Sequence, residues 1–259
     1  MDKQQPHPNS AIQSICRAVS VLRSFSEAEP ELSVTVLSRR LTLHKSTVSR
    51  ILATLQYEGL VDQNPDTGKY RLGVGLISLA GVALGRLDAR SVAQSYLDHL
   101  VSVSKETVNL AVLDGLECVT VDRAPSPQPL RYVGWIGRRM PLHCTASGQV
   151  FLAFMPDDEQ IRILSLPLVT YTEKTVVDAG GLRQALAQIQ RQGYAIVHEE
   201  FETGFSSIAA PVFNQSARVV AAISIAGPTY RMDPAQIASL IEPLSQTVQT
   251  ISKELGYRQ

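Results

Sequence analysis

Cysteine is scarce in this chain: Cys16, Cys118 and Cys144 are three among 259 residues, far apart and odd in number. That excludes a disulfide framework and a Cys-x-x-Cys zinc knuckle, and it points to a reducing compartment. No uninterrupted apolar run of about 18 residues occurs, so no membrane span is expected. The opening Met1-Asp2-Lys3-Gln4-Gln5-Pro6 lacks the apolar core of a secretory signal, and a cytoplasmic location is the expectation. The chain also lacks a Gly-x-x-x-x-Gly-Lys-Ser/Thr loop and a dinucleotide fingerprint, so no cofactor is expected. Gly73-Val74-Gly75 has a simpler reading, as a hinge ahead of a helix. Net charge is absent too, with 24 basic and 24 acidic residues.

What is present is an ordinary globular composition, 44% hydrophobic, with charge unevenly spread. Residues 1–90 hold 11 Lys and Arg against 8 Asp and Glu; the remainder holds 13 against 16. A basic head on an acidic body is a mild sign of a polyanion-binding segment. Residues 1–9 read as a disordered tail. From residue 10, Ile12, Ile15, Val19, Leu22 and Phe25 fall at helical spacing. A short helix fits 34–40 with Ser33 as N-cap. After the Leu41-Thr42-Leu43 turn, a third helix fits 44–58, with Gly59 placed to end it. Strands are expected at 60–62 and 69–72 around Asn64-Pro65-Asp66-Thr67-Gly68. This order, at 10–73, is that of a winged helix-turn-helix.

Residues 74–90 carry Leu76, Leu79, Ala80, Ala83, Leu84 and Leu87 as an amphipathic connecting helix, although Gly75, Gly81 and Gly85 weaken it. The rest, 91–259, alternates helices with antiparallel hairpins and reads as an α+β domain. Helices are expected at 92–106, 147–154, around 182–189 and from Asp233-Pro234 onward. Strands are expected at 108–113, 116–121, 130–135, 195–198, 208–213 and 218–226.

In the third helix Val48, Ile51, Leu52 and Leu55 form one apolar face. Lys45, Ser46, Thr47, Ser49, Arg50 and Thr54 project elsewhere, and small hydroxyls with Lys and Arg suit entry into the major groove of double-stranded DNA. Arg39 and Arg40 can neutralise flanking phosphates. Lys69, Tyr70 and Arg71 sit on the wing, within reach of backbone or minor groove. Each feature alone favours a plain solvated polar face; their order favours a DNA reader.

These segments, Lys45-Ser46-Thr47-Val48-Ser49-Arg50-Ile51-Leu52, Gly59-Leu60-Val61 and Tyr70-Arg71-Leu72-Gly73, resemble the IclR family of bacterial transcription regulators. So do Val108-Asn109-Leu110-Ala111-Val112, Gly137-Arg138-Arg139-Met140-Pro141-Leu142-His143, Thr145-Ala146-Ser147-Gly148, Gly193-Tyr194-Ala195 and Glu199-Glu200-Phe201. The resemblance spans roughly residues 12–256 and implies a linker helix and a C-terminal GAF-like effector-binding domain with an antiparallel sheet. It also implies a homodimer or tetramer on operator DNA, often controlling a neighbouring catabolic operon, with the linker helix relaying the effector signal.

The Thr145–Gly148 run opens a helix, and amides at a helix N-terminus form a ready carboxylate site. By the resemblance, a small organic acid is held there by Ala146 and Ser147, with Val197 or His198, Ser207 and Ser224 from later strands and Leu142 as an apolar wall. Many relatives have cysteine at the position of Ser207, an acid near Val197 and serine at the position of Ala226. A larger or aromatic carboxylate is therefore the expected effector. For Ser207 and Ser224 taken singly, plain sheet packing is the competing reading.

The rival class is a thiol-dependent enzyme with Cys144 as nucleophile, His143 as base and Glu199 or Glu200 as orienter. Adjacent residues on extended backbone face opposite ways, which argues against it. A metal site would need His143, His198 and Cys144 to converge without ligand spacing, so none is expected. A module whose helix-turn-helix mediates protein contacts is the third class.

Overall fold

The computed structural model describes residues 12–26, 28–85 and 87–258. The tail at 1–9 lies outside them. The chain divides into two compact units, Met1–Arg86 and Leu87–Gln259.

The first unit begins with α1 (Gln13–Leu22), α2 (Val34–Leu41) and α3 (Lys45–Tyr57). Ser33 caps α2 by accepting the amide of Val36, and Thr42 in left-handed backbone (φ 53°) ends it. The Ser38 hydroxyl fixes that turn by donating to the Leu43 carbonyl at 2.6 Å. Val21, Leu37, Val48, Leu52 and Leu55 close the core between the three helices, with Ile51 at its margin. Strands β1 (Val61–Gln63) and β2 (Tyr70–Leu72) pair antiparallel to form the wing. Its tip is tied to Glu31, which accepts from Asn64 Nδ2 at 2.8 Å and Thr67 Oγ1 at 3.1 Å.

Helix α4 (Gly75–Leu84) follows, shorter than the connecting helix expected over 74–90. The hinge reading of its glycines is corrected here. Gly73 N–H donates to the Leu60 carbonyl and Gly75 N–H to the Gly59 carbonyl. A Cβ on Gly73 would lie 2.4 Å from Gly59 O, so these glycines permit a close backbone contact rather than motion.

In the second unit α5 (Asp88–Ser104) starts earlier than expected, and β3 (Thr107–Asp114) and β4 (Glu117–Ala124) form the anticipated hairpin, with Gly115 at φ 64°. The strand expected at 130–135 is not one; that segment crosses over the sheet as irregular chain before β5 (Arg139–Pro141). Then come α6 (Ala146–Phe154), α7 (Asp157–Leu164), which periodicity did not reveal, and α8 (Ala179–Gln192). Strands β6 (Ala195–His198), β7 (Phe205–Phe213) and β8 (Val219–Pro228) precede α9 (Pro234–Glu254), capped by Asp233.

One antiparallel sheet of six strands, ordered β5-β4-β3-β8-β7-β6, holds the unit together. Helices α5 and α9 pack on one face, where Leu110, Ile208, Ile223 and Ile225 are fully buried. Helices α6 and α8 pack on the other. That second face carries Ala111, Ala209 and Ala222, then Asn109, Ser207, Ser224 and Ala226 toward one end. Small side chains there leave space that the start of α6 and the crossing segment border without filling.

Candidate functional site

That space is a small cavity of about 50 Å³ with an open mouth, lined on the sheet side by Asn109, Val197, Phe205, Ser207, Ser224 and Ala226. The start of α6 supplies Thr145, Ala146 and Ser147; Tyr132, Met140, Cys144, Phe201, Glu202 and Ser206 complete the wall. The strand register explains the sheet side, since Asn109 pairs with Ser224, and Ser207 with both Ala226 and Val197. Thr145 caps α6 by accepting the Gly148 amide at 3.1 Å. The amides of Ala146 and Ser147 are first-turn groups that a helix cannot satisfy internally. The hydroxyls of Ser147, Ser207 and Ser224 have no hydrogen bond to any described residue.

Four of the six expected effector residues, Ala146, Ser147, Ser207 and Ser224, thus come together. Two do not. His198 is exposed and faces the opposite way, its Nδ1 3.2 Å from the Ser206 hydroxyl. Alternation along β6 turns Val197 inward instead. Leu142 lies in the core beneath α6, where its backbone would meet a Cβ on Gly148 at 2.5 Å; it positions the helix and does not line the cavity. Sequence reasoning also missed Asn109, Tyr132, Phe201, Glu202 and Phe205. For Asn109 the signal was available: a polar residue inside the apolar run Val108–Val112.

Beside the cavity, an aromatic cluster surrounds Arg138. Its guanidinium lies 5.1 Å from the Tyr132 ring, 4.9 Å from Trp135 and 5.4 Å from Phe201. It pairs with Glu202 and donates to the Val133 carbonyl, so the acidic side chain in the wall is neutralised. Burial pushes the Tyr132 hydroxyl up to about 12.

The Cys144 arrangement does not assemble as a nucleophile. Burial, and then the neighbouring Glu200 charge, push its thiol up to about 12, leaving almost no thiolate at neutral pH. His143 turns away, with Nε2 2.9 Å from the Val169 carbonyl. Glu199 pairs with Lys174, and Glu200 accepts from Gln149 at 3.2 Å. Among the described residues no group of His, Cys, Asp or Glu could hold a metal ion.

Glu200 carries a pH dependence. Burial raises its carboxyl from 4.5 to about 7, so the folded chain holds this proton more tightly than the unfolded one. Stability from this group is full below pH 4.5 and is lost as pH rises toward about 7. Glu200→Gln is expected to melt higher than the parent at pH 8 and to lose that advantage at pH 4.5. Thermal melts across this range check it; a pH-independent difference would contradict it.

In the first unit the start of α3 is open to solvent at Lys45, Ser46, Ser49 and Arg50, as are Arg39, Lys69 and Arg71. Thr47 is half-buried, and Thr54 donates to the Arg50 carbonyl at 3.0 Å. Two expected contacts are committed elsewhere. Arg40 bonds Glu29 and the Ser24 carbonyl, and Tyr70 packs against the core while pairing with Leu32. At the start of β2, paired with both Gln63 and Leu32, Tyr70 is a structural support of the wing.

A winged helix-turn-helix unit followed in the chain by an α+β unit with a polar cavity at the start of α6 is the architecture of a transcription regulator with an effector domain. Residues 14–65 match the IclR helix-turn-helix domain, and residues 81–253 match the bacterial transcriptional regulator IclR C-terminal domain. The chain belongs to the IclR family of bacterial transcription regulators. It is 38% identical over 247 residues to the HTH-type transcriptional regulator XynR of Escherichia coli, covering 95% of this chain and 98% of that one. To KdgR of Escherichia coli it is 35% identical, over 99% of this chain and 96% of that one. Among solved structures, an IclR homolog of Microbacterium hydrocarbonoxydans complexed with 4-hydroxybenzoate superposes with a TM-score of 0.83 at 28% identity, covering 93% and 98% of the two chains.

Proposed function

We propose that the first unit binds operator DNA and that the second senses a small organic acid, so that the chain controls a catabolic operon and acts as a regulator rather than a catalyst. The carrying observation is the cavity built against the first turn of α6, where amide N–H groups and the helix dipole favour a carboxylate. The relative bound to 4-hydroxybenzoate, an aromatic acid, supports this ligand class. Arg39, Lys45, Ser46, Thr47, Ser49, Arg50, Lys69 and Arg71 carry the DNA contacts. The working form is a homodimer or tetramer: α4 buries none of its residues, and Ile77, Leu79 and Val82 are 70%, 61% and 72% exposed. An apolar helix left so open fits a partner copy, and two heads would match two operator half-sites.

Gel shifts with the DNA upstream of the chain's own gene test this. Arg50→Ala is expected to weaken binding about tenfold to a hundredfold, as loss of a base-reading arginine does. An organic acid such as 4-hydroxybenzoate is expected to change the affinity of the parent but not of Ser207→Val, which fills the cavity from the sheet side. Absence of any DNA binding at low salt, with or without acids, would sink the proposal.

A further inference from the structure

We infer that Asn109 reads a hydroxyl group of the effector, which narrows the ligand class to hydroxylated carboxylic acids. The inference rests on the carboxylate reading of the cavity and adds a second recognition point to it. Asn109 sits mid-strand in β3, between β4 and β8, and is only 3% exposed. Its Oδ1 is buried and has no hydrogen-bond partner among the described residues. A buried carboxamide oxygen is normally paired, because leaving it dry forfeits its hydrogen bonds to water.

Nothing in the wall is placed to satisfy it. The neighbouring strand presents Ser224 opposite, whose hydroxyl makes no bond to it. The chain crossing above meets it at Gly134, where a Cβ would come within 3.1 Å of the oxygen; a glycine there offers no side-chain donor and lets the backbone pass close to it. Asn109 lines the same cavity as Ala146 and Ser147. One ligand can therefore set its carboxylate against the α6 amides and donate a hydroxyl hydrogen to Asn109 Oδ1. The hydroxyls of Ser147, Ser207 and Ser224, donors and acceptors both, serve either end. A plain carboxylate has no hydrogen to donate and leaves Oδ1 unpaired. Sites built to bond a ligand hydroxyl reject the analogue lacking it strongly, for this reason.

Calorimetric titration of the full chain with two matched pairs, mandelate against phenylacetate and gluconate against hexanoate, tests the inference. In at least one pair the hydroxylated acid is expected to bind about 30-fold tighter or more, the scale set by leaving a buried acceptor unpaired. Asn109→Leu is expected to remove that preference, because the acceptor that reads the hydroxyl is gone. The unliganded variant is expected to melt no lower than the parent, since an unpaired carboxamide has been removed. Equal binding of hydroxylated and plain acids overturns the inference and leaves the carboxylate reading standing. Binding of none of the four overturns both. A lower melting temperature for unliganded Asn109→Leu assigns Asn109 a structural role and also overturns it; if that variant does not fold, the parent's pairwise preference decides.

Discussion

Replacing Gly148 with alanine is expected to destabilise the second unit by about 3 kcal/mol or more, the upper end of what overpacking costs, and to abolish the response to effector. The added Cβ would stand 2.5 Å from both the Cα and the carbonyl oxygen of Leu142, and 2.6 Å from Thr145 Oγ1. Two of these atoms are backbone. The third is the hydroxyl that caps the helix through the Gly148 amide, so it cannot swing away without uncapping α6. Relief requires α6 to lift from Leu142, which moves the Ala146 and Ser147 amides out of the cavity wall. A fall of roughly 6–12 °C in melting temperature is expected for a unit of this size. Calorimetry on the full chain, with and without an acid that binds the parent, reads both effects. A melt within about 2 °C of the parent, well under one such step, would show that the close approach is not needed.

The second large effect is expected at Gly73. Alanine there would place a Cβ 2.4 Å from Gly59 O and 3.0 Å from Leu60 C and Val61 N. The chain cannot shift cheaply, because Gly73 and Gly75 each donate a backbone hydrogen bond across the same contact. A loss of about 3 kcal/mol is a large share of the 5–15 kcal/mol that holds a typical domain together. Operator affinity is therefore expected to fall, and hydrogen-exchange protection to drop across residues 34–57 while residues 105–230 keep theirs. Gly81→Ala is the contrast: nothing lies within 4 Å of its added Cβ, and removing a helical glycine should stabilise by about 0.5–1 kcal/mol. If both variants behaved alike, the clamp reading of Gly73 would fail and the hinge would return.

These glycines show where sequence reasoning stops. In a one-dimensional pattern a glycine ahead of a helix reads as freedom. Gly148 and Gly73 are instead required by neighbours, Leu142 and Gly59, whose approach no spacing rule encodes. His198 and Val197 make a similar case. Both precede Glu199, and only the pairing of Val197 with Ser207 decides which one faces the cavity. Tyr70 and Arg40 looked available for DNA because tyrosine and arginine often are; the core and Glu29 had claimed them.

The helices of the first unit, their Ser33 and Gly59 boundaries, the wing and the hairpin at Gly115 follow from the sequence, because periodicity, caps and turn residues act within a few positions of one another. The family and its regulatory class follow too, carried by motifs that run in order along the chain. The cavity does not. Asn109, Tyr132, Ser147, Phe201, Glu202, Ser207 and Ser224 meet only because antiparallel pairing places β3 beside β8 and β8 beside β7, and because an irregular crossing segment folds over the sheet's small-residue face. Long-range registration of that kind is fixed by the packing of the whole unit, so the cavity belongs to the tertiary structure.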